Sequence, residues 1–493
     1  MTAALNSQLT KTLRSGLSWL LVLGAWSFSF SATAAEFTQS DATTAMHRAV
    51  VFFRTKVGYH GAYGYAVSDD LSKREGENRI TANQGWVEPP ATPQVGMTYL
   101  EAYRASGDKS LLEAAQECGA ALLATQLESG GWQNPIELDA EKRLTHPYRK
   151  NAVSAGAKTP SVKRELSTLD DNKTQSCLAF LMRLDAETGF KDAALHEAVL
   201  YGLDALVKVQ YPNGAWPQQF DAAPEAAKFP VLKASYPESW SRTFPKINYV
   251  DFYTFNDDTI TDVVELMLAA ADTYQEPRYK ASAERAGKFI LMAQMPEPQP
   301  GWAQQYDPVM NPVWARKFEP PAISGSESQN ILKLLLSLYK ATGDKKYLEP
   351  IPPAITWLRR SKLADGRMAR FYELHTNKPL YFTKDYVLTY DDSDLPTHYG
   401  FKVGSDSIDT VENEYKKLVE KGIPAKKTPD LSRPTFSKRI AADAARAAEK
   451  LDERGAWVEE GKLKNYDDAG EKIITSRTFI MNLRALARCA GAK

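Results

Sequence analysis

Ser106-Gly107-Asp108-Lys109 opens a stretch that closes on Gly130-Gly131-Trp132, and this order of turn, helix-length segment and glycine-tryptophan exit returns along the chain. It recurs as Thr188-Gly189-Phe190-Lys191 with Pro212-Asn213-Gly214-Ala215-Trp216, and as Gln275-Glu276-Pro277-Arg278 with Pro300-Gly301-Trp302. A fourth copy runs from Thr342-Gly343-Asp344-Lys345 to Asp365-Gly366-Arg367-Met368, with methionine in the tryptophan position. The steps from Gly107, Gly189, Glu276 and Gly343 to Trp132, Trp216, Trp302 and Met368 are 25, 27, 26 and 25 residues, so the intervening helix and its exit have a nearly fixed length. A period of this size is the signature of a repeat architecture.

Ahead of each turn lies a segment with apolar residues at helical spacing, such as Val95, Met97, Leu100 and Tyr103, or Ile331, Leu334, Leu335 and Leu338. Helix pairs that bury one face must stack into a solenoid or close into a ring. Further helices at about 43–57, 437–451 and 476–489 supply elements to complete a ring. The expected fold is all-α: an α/α toroid of helix-pair repeats around a central groove, with long irregular loops, formed by residues 36–493 as one catalytic domain.

The connections at 133–167 and 217–256 are far longer than ordinary helix links, and loops of that length are commonly functional. They carry Tyr148, Arg149, Lys163, Tyr236, Trp240, Arg242 and Tyr249, a mixture that suits either an anionic sugar chain or the packing of the loops themselves.

Residues 1–35 read as an export signal: Lys11 and Arg14, an apolar run over 17–30, then Ala32-Thr33-Ala34-Ala35. The run is short for a membrane span. The reading places the mature chain outside the cytoplasm, periplasmic or secreted, as a monomer away from the membrane. The chain balances 61 Lys and Arg against 61 Asp and Glu, without the basic excess of a nucleic-acid binder. Cys118, Cys177 and Cys489 are scattered and odd in number, which predicts buried free thiols, and the six histidines form no zinc pattern.

The first helices of the repeat begin at Thr92-Pro93, Asp170-Asp171-Asn172, Asn256-Asp257-Asp258 and Ser324-Gly325-Ser326. These residues suit helix caps. Two starts carry a double acid where one acid is enough to cap, so carboxylates from neighbouring starts are also candidates to converge on a hard cation such as Ca2+. Positive groups follow in Trp314-Ala315-Arg316-Lys317-Phe318-Glu319-Pro320-Pro321 and Arg367-Met368-Ala369-Arg370-Phe371-Tyr372-Glu373. Arginine suits the bidentate grip that a uronate carboxylate needs.

Together, Tyr211-Pro212-Asn213-Gly214-Ala215-Trp216-Pro217-Gln218, Thr254-Phe255-Asn256-Asp257-Asp258, the segment 314–321 and Ala369-Arg370-Phe371-Tyr372-Glu373 resemble the family ten pectate lyases, in the same order, over about 45–391. The resemblance implies a toroid with a central groove, calcium-dependent binding of polygalacturonate, and anti β-elimination with an arginine as base. By position it implies Asp170 and Asp258 as acidic metal or substrate-bridging residues and Arg316 and Arg370 as substrate-binding arginines, with Trp216 and Tyr249 taken as further sugar contacts. Where the family's catalytic arginine is expected, fourteen residues after Arg370, this chain has Lys384. Lys384 is therefore the expected base, with Arg370 beside it to lower its pKa and hold the carboxylate. An inverting glycoside hydrolase using Asp170 and Asp258 as acid and base, and a non-catalytic uronan-binding protein, remain alternative readings of the same residues.

Overall fold

Each Gly-Asp-Lys turn of the sequence joins an antiparallel helix pair in the computed structural model, which describes residues 37–152, 164–425, 433–468 and 470–493. Gly107 and Gly343 end their helices in the left-handed region, at φ 80° and 75°, where glycine carries no Cβ penalty. Asp108, Asp192 and Asp344 cap the helices or turns that follow by accepting from backbone N–H groups. The export signal expected over 1–35, and Lys163, lie outside the described residues.

The helices in chain order are α1 Gln39–Phe52, α2 Thr92–Ser106, α3 Lys109–Thr125, the single turn α4 Arg149–Ala152, α5 Lys173–Glu187, α6 Ala193–Val209, α7 Thr259–Tyr274, α8 Pro277–Ala293, α9 Glu327–Thr342, α10 Ile351–Arg360, α11 Asp406–Lys421, α12 Lys438–Glu449 and α13 Ser476–Ala490. Helices α13, α2, α5, α7, α9 and α11 pack side by side in that order as an inner layer. The outer layer is formed by α1, α3, α6, α8, α10 and α12, and α12 meets both α1 and α13. The fold is an α/α toroid.

Two pairs escaped the sequence pattern. The pair α13/α1 is assembled from the two ends of the chain, where Gln39 donates to the carbonyl of Ala492 at 2.6 Å. Its exit is Gly61-Ala62-Tyr63, with tyrosine in the tryptophan position, and the exit of α12 is Gly455-Ala456-Trp457. In the tryptophan exits the indole N–H donates back to a carbonyl of its own outer helix: Trp132 to Leu122, Trp216 to Leu206, Trp302 to Ile290 and Trp457 to Ala447, at 2.7–3.0 Å. The glycine of the exit presses on the next outer helix. A Cβ at Gly61, Gly214 or Gly455 would lie 2.2–2.5 Å from a backbone oxygen of Glu117, Arg285 or Arg48, and all three sit at positive φ. Glycine is needed there for both backbone geometry and space.

Short antiparallel strand pairs tie the start of an inner helix to the exit of its own outer partner. They pair Gln84–Gly85 with Ile136–Glu137, Ser167–Thr168 with Gln219–Phe220, Tyr253–Thr254 with Gln305–Tyr306, and Ala322–Ser324 with Phe371–Glu373. The starts of α2, α5, α7 and α9 are thereby gathered at one rim of the ring, the rim that carries the paired acids. Cys118, Cys177 and Cys489 are free and buried, as their spacing predicts. Among the described residues no helix is long and apolar enough to cross a membrane.

Candidate active site

The starts of α5 and α7 are built alike. Asp171 and Asp257 both have φ 49°, and Asn172 and Asp258, the residues after them, both have φ 57°. Two successive left-handed residues are costly for most side chains and least so for Asp and Asn, which explains the composition of both turns. None of these side chains caps its helix, so the capping expectation for the double acids fails. The turns instead push carboxylates toward each other across the α5–α7 boundary.

The convergence selects Asp170, Asp171 and Asp257, each offering an oxygen such that all three lie within 4.8 Å of one another. Asp258 is not in this triad. It occupies the second left-handed position, equivalent to Asn172, and accepts from Asn330 of α9 at 2.9 and 3.3 Å. Asp258, expected to share a metal with Asp170, thus faces the next helix, while the turn geometry places Asp257 beside Asp170.

Burial, with Asp171 and Asp170 adding to it against the pull of Arg316, raises the pKa of Asp257 to about 7. Asp170 is raised as well, by burial first and then by Asp171. Gln218 donates to Asp170 Oδ1 at 2.9 Å, and Lys173 Nζ donates to Asp171 Oδ2 at 3.1 Å.

Opposite the triad stands Arg316. Its Nη2 donates to Asp257 Oδ2 at 3.1 Å, and its Nε and Nη2 grip Glu319 at 2.8 and 2.6 Å. Glu319 has no exposed surface, so this is a buried acid satisfied by one guanidinium. Tyr399 then links the two arginines: its hydroxyl donates to Glu319 Oε1 at 3.0 Å and accepts from Arg370 Nη1 at 3.2 Å. The Arg370 guanidinium lies 4.6 Å from the Tyr399 ring centre. Arg370 also reaches Glu327 Oε1 at 3.4 Å, and Gln304 bridges Glu327, Tyr399 and Asn256 at 2.9–3.1 Å. Tyr249 is half-buried with Arg316 and Asp170 as charged neighbours, and burial raises its pKa.

The structure thus brings together Asp170, Arg316, Arg370 and Tyr249, and adds Asp171, Asp257, Glu319 and Tyr399. It does not bring in Trp216 or Lys384. Trp216 has no exposed face and holds its own helix exit together, so it cannot stack on a sugar. The Lys384 side chain is 66 % exposed and its ammonium pairs with Asp394 at 3.0 Å, which leaves the expected partnership with Arg370 unformed.

Residues 139–368 match the family model described as pectic acid lyase. The resemblance is to the pectic acid lyases. The matched stretch is narrower than the motifs suggested, yet it holds all three triad acids, Arg316 and Glu319, while Arg370 and Tyr399 lie beyond it. A polysaccharide lyase is the enzyme class this match supports. No curated protein matches the chain. Similar solved structures include a family 10 polysaccharide lyase from Cellvibrio cellulosa, 19 % identical, covering 66 % of this chain and 96 % of that one at a TM-score of 0.44. A mutant of that family 10 lyase in complex with trigalacturonic acid is 18 % identical and covers 66 % of this chain and 98 % of that one, also at 0.44. A GH76 alpha-mannanase from Bacteroides thetaiotaomicron is 12 % identical, with coverages of 92 % and 97 % at 0.40. The architecture rests on the helix packing described above, independently of these likenesses.

Proposed function

We propose that the protein is a secreted or periplasmic pectate lyase that cleaves polygalacturonate or a related uronan by β-elimination, with Ca2+ held by Asp170, Asp171 and Asp257. The observation that carries this reading is the meeting, at one rim of the ring, of a carboxylate triad with two arginines joined through Tyr399. The donor set suits calcium: all ligand atoms are hard carboxylate oxygens, and burial, with Asp171 and Asp170 beside it, raises the pKa of Asp257 against the pull of Arg316. Calcium, when bound, supplies charge that neutralises the substrate carboxylate and steadies the enolate-like charge of the reaction.

The protein's own groups then do the rest. Arg370 presents its N–H donors to the uronate carboxylate, a grip in which arginine surpasses lysine. In the elimination the C5–H bond breaks, its electrons form the C4=C5 double bond, and the C4–O bond breaks as the leaving oxygen takes a proton from water. With Lys384 held by Asp394 outside the network, the reading assigns the C5 proton to Arg316, the arginine at the triad. Glu319 and Asp257 outweigh burial and hold this guanidinium charged, so it can take the proton only through a minor neutral form, and the rate is expected to keep rising with pH through the alkaline range.

The hydrolase alternative, with Asp170 and Asp258 as acid and base, is separated from the lyase by the product each reaction leaves. The deciding experiment is incubation with polygalacturonate in calcium and then in chelator, followed by ultraviolet absorbance. An unsaturated product that appears with calcium and stops with chelator is expected. New reducing ends without absorbance would establish hydrolysis, and binding without product would leave a uronan-binding protein.

A further inference from the structure

A second set of three carboxylates touches the first. Glu77, Glu88 and Asp171 also offer oxygens within 4.8 Å of one another, and Asp171 belongs to both sets. Glu77 lies in the turn between the strands Arg74–Glu75 and Arg79–Ile80, and Glu88 lies just before α2, so both come from outside the stretch matched to the pectic acid lyases. The toroid brings them to the rim where α2 neighbours α5.

A buried ammonium lies against this second triad. Lys173, at the first position of α5, has a side chain only 7 % exposed, and its ammonium lies 3.2 Å from Glu88 Oε2, 3.1 Å from Asp171 Oδ2 and 3.9 Å from Asp170 Oδ2. Glu88 Oε2 is sealed from solvent and makes no hydrogen bond, so the charge of that ammonium is what compensates it. The two triads hold five different carboxylates, and among the described residues the cationic groups paired with them are Lys173 and Arg316.

We propose that Lys173 sets the number of divalent cations at this rim: its ammonium takes a second cation's place in the Glu77–Glu88–Asp171 triad, so the native centre binds one calcium ion. The inference rests on the reading that Asp170, Asp171 and Asp257 hold calcium. Lys173 is a positioning residue in this account, since it acts through Asp171, the acid shared by the two triads. A side chain without charge at this position leaves five carboxylates facing a single arginine, and a second calcium ion then restores the balance.

The test is calcium stoichiometry by equilibrium dialysis on the full mature chain, with no substrate present. The native protein is expected to bind one ion, Lys173→Met two, and Lys173→Met combined with Glu77→Gln one again. Lys173→Arg keeps the charge and is expected to stay at one. Glu77 is exposed, so its substitution leaves the core untouched, and far-ultraviolet circular dichroism in calcium confirms that each variant is folded. One ion in Lys173→Met with unchanged affinity overturns the inference and leaves the calcium reading standing. No ion in the native protein overturns both. Two ions in Lys173→Arg overturn the charge argument, and a Lys173→Met chain that does not fold in calcium overturns the claim that calcium can replace the ammonium.

Discussion

Arg316 Nη2 lies 3.1 Å from Asp257 Oδ2, a contact that joins the segment before α9 to the start of α7 while the same guanidinium neutralises the buried Glu319. Arg316→Ala would leave that acid without its partner, and a cost of about 3–5 kcal/mol in stability is expected. Arg316→Lys keeps the charge and is the informative variant. Loss of the two-pronged grip should lower kcat/KM by roughly 100-fold, and a base with an intrinsic pKa of about 10.4 should carry the alkaline limb of the pH–rate profile to lower pH. A reduced rate with the limb in its native place would mean that Arg316 binds the carboxylate and another group takes the proton.

Tyr399 offers a sharper separation of roles, because its hydroxyl touches Glu319, Arg370 and Gln304 but none of the triad acids. Tyr399→Phe should lower kcat/KM by about 10-fold through loosened arginines while calcium affinity stays within about twofold. A matching loss of calcium affinity would show that the tyrosine supports the carboxylates rather than the arginines.

Lys384→Ala is expected to leave kcat within about threefold of the native value, the effect of losing an exposed lysine and its surface ion pair. The pairing with Asp394 and the solvent exposure of the side chain both argue for this outcome. A loss of about 100-fold or more would restore Lys384 to the chemistry and require its loop to close over the substrate.

Much of this architecture was legible because helix pairs write their turns locally. Gly107-Asp108 and Gly343-Asp344 carry the left-handed residue and the cap in adjacent positions, and Trp132, Trp216 and Trp302 return at a fixed distance. The pair α13/α1 was illegible because its two helices stand at opposite ends of the chain, with Tyr63 in place of the tryptophan. At the site, the sequence pointed to double acids and arginines and singled out Asp170 and Asp258, whereas the structure places Asp257 beside Asp170. Choosing Asp257 over Asp258 requires the two successive left-handed residues, whose positive φ decides which carboxylate faces the neighbouring start. Trp216 misled for the opposite reason: one motif serves both a helix exit and a sugar platform, and only burial separates them. Tyr399 carried no local signal, since a lone tyrosine in a loop becomes informative only when Glu319 and Arg370 arrive from elsewhere.

The acids behind the triad make a prediction about stability. Asp262 of α7 lines a cavity of about 410 Å³ between α2, α5 and α7, together with Glu265, Gln175, Met97 and Met182. Burial, reinforced by Asp258 and Glu265, raises its pKa to about 7. A carboxylic acid whose folded pKa exceeds its unfolded value binds its proton more tightly in the native state, so stability falls as pH rises between the two values and stays low above the folded one. In chelator, Asp262→Asn should therefore match the native protein near about pH 4 and be more stable near about pH 8, by an amount on the order of 1–3 kcal/mol. Thermal unfolding at the two pH values measures the difference. An equal gain at both would assign the effect to packing around the cavity, and a loss at about pH 8 would mean that the ionised Asp262 has a cationic partner in solution, which would make this cavity a second place to look for bound cations.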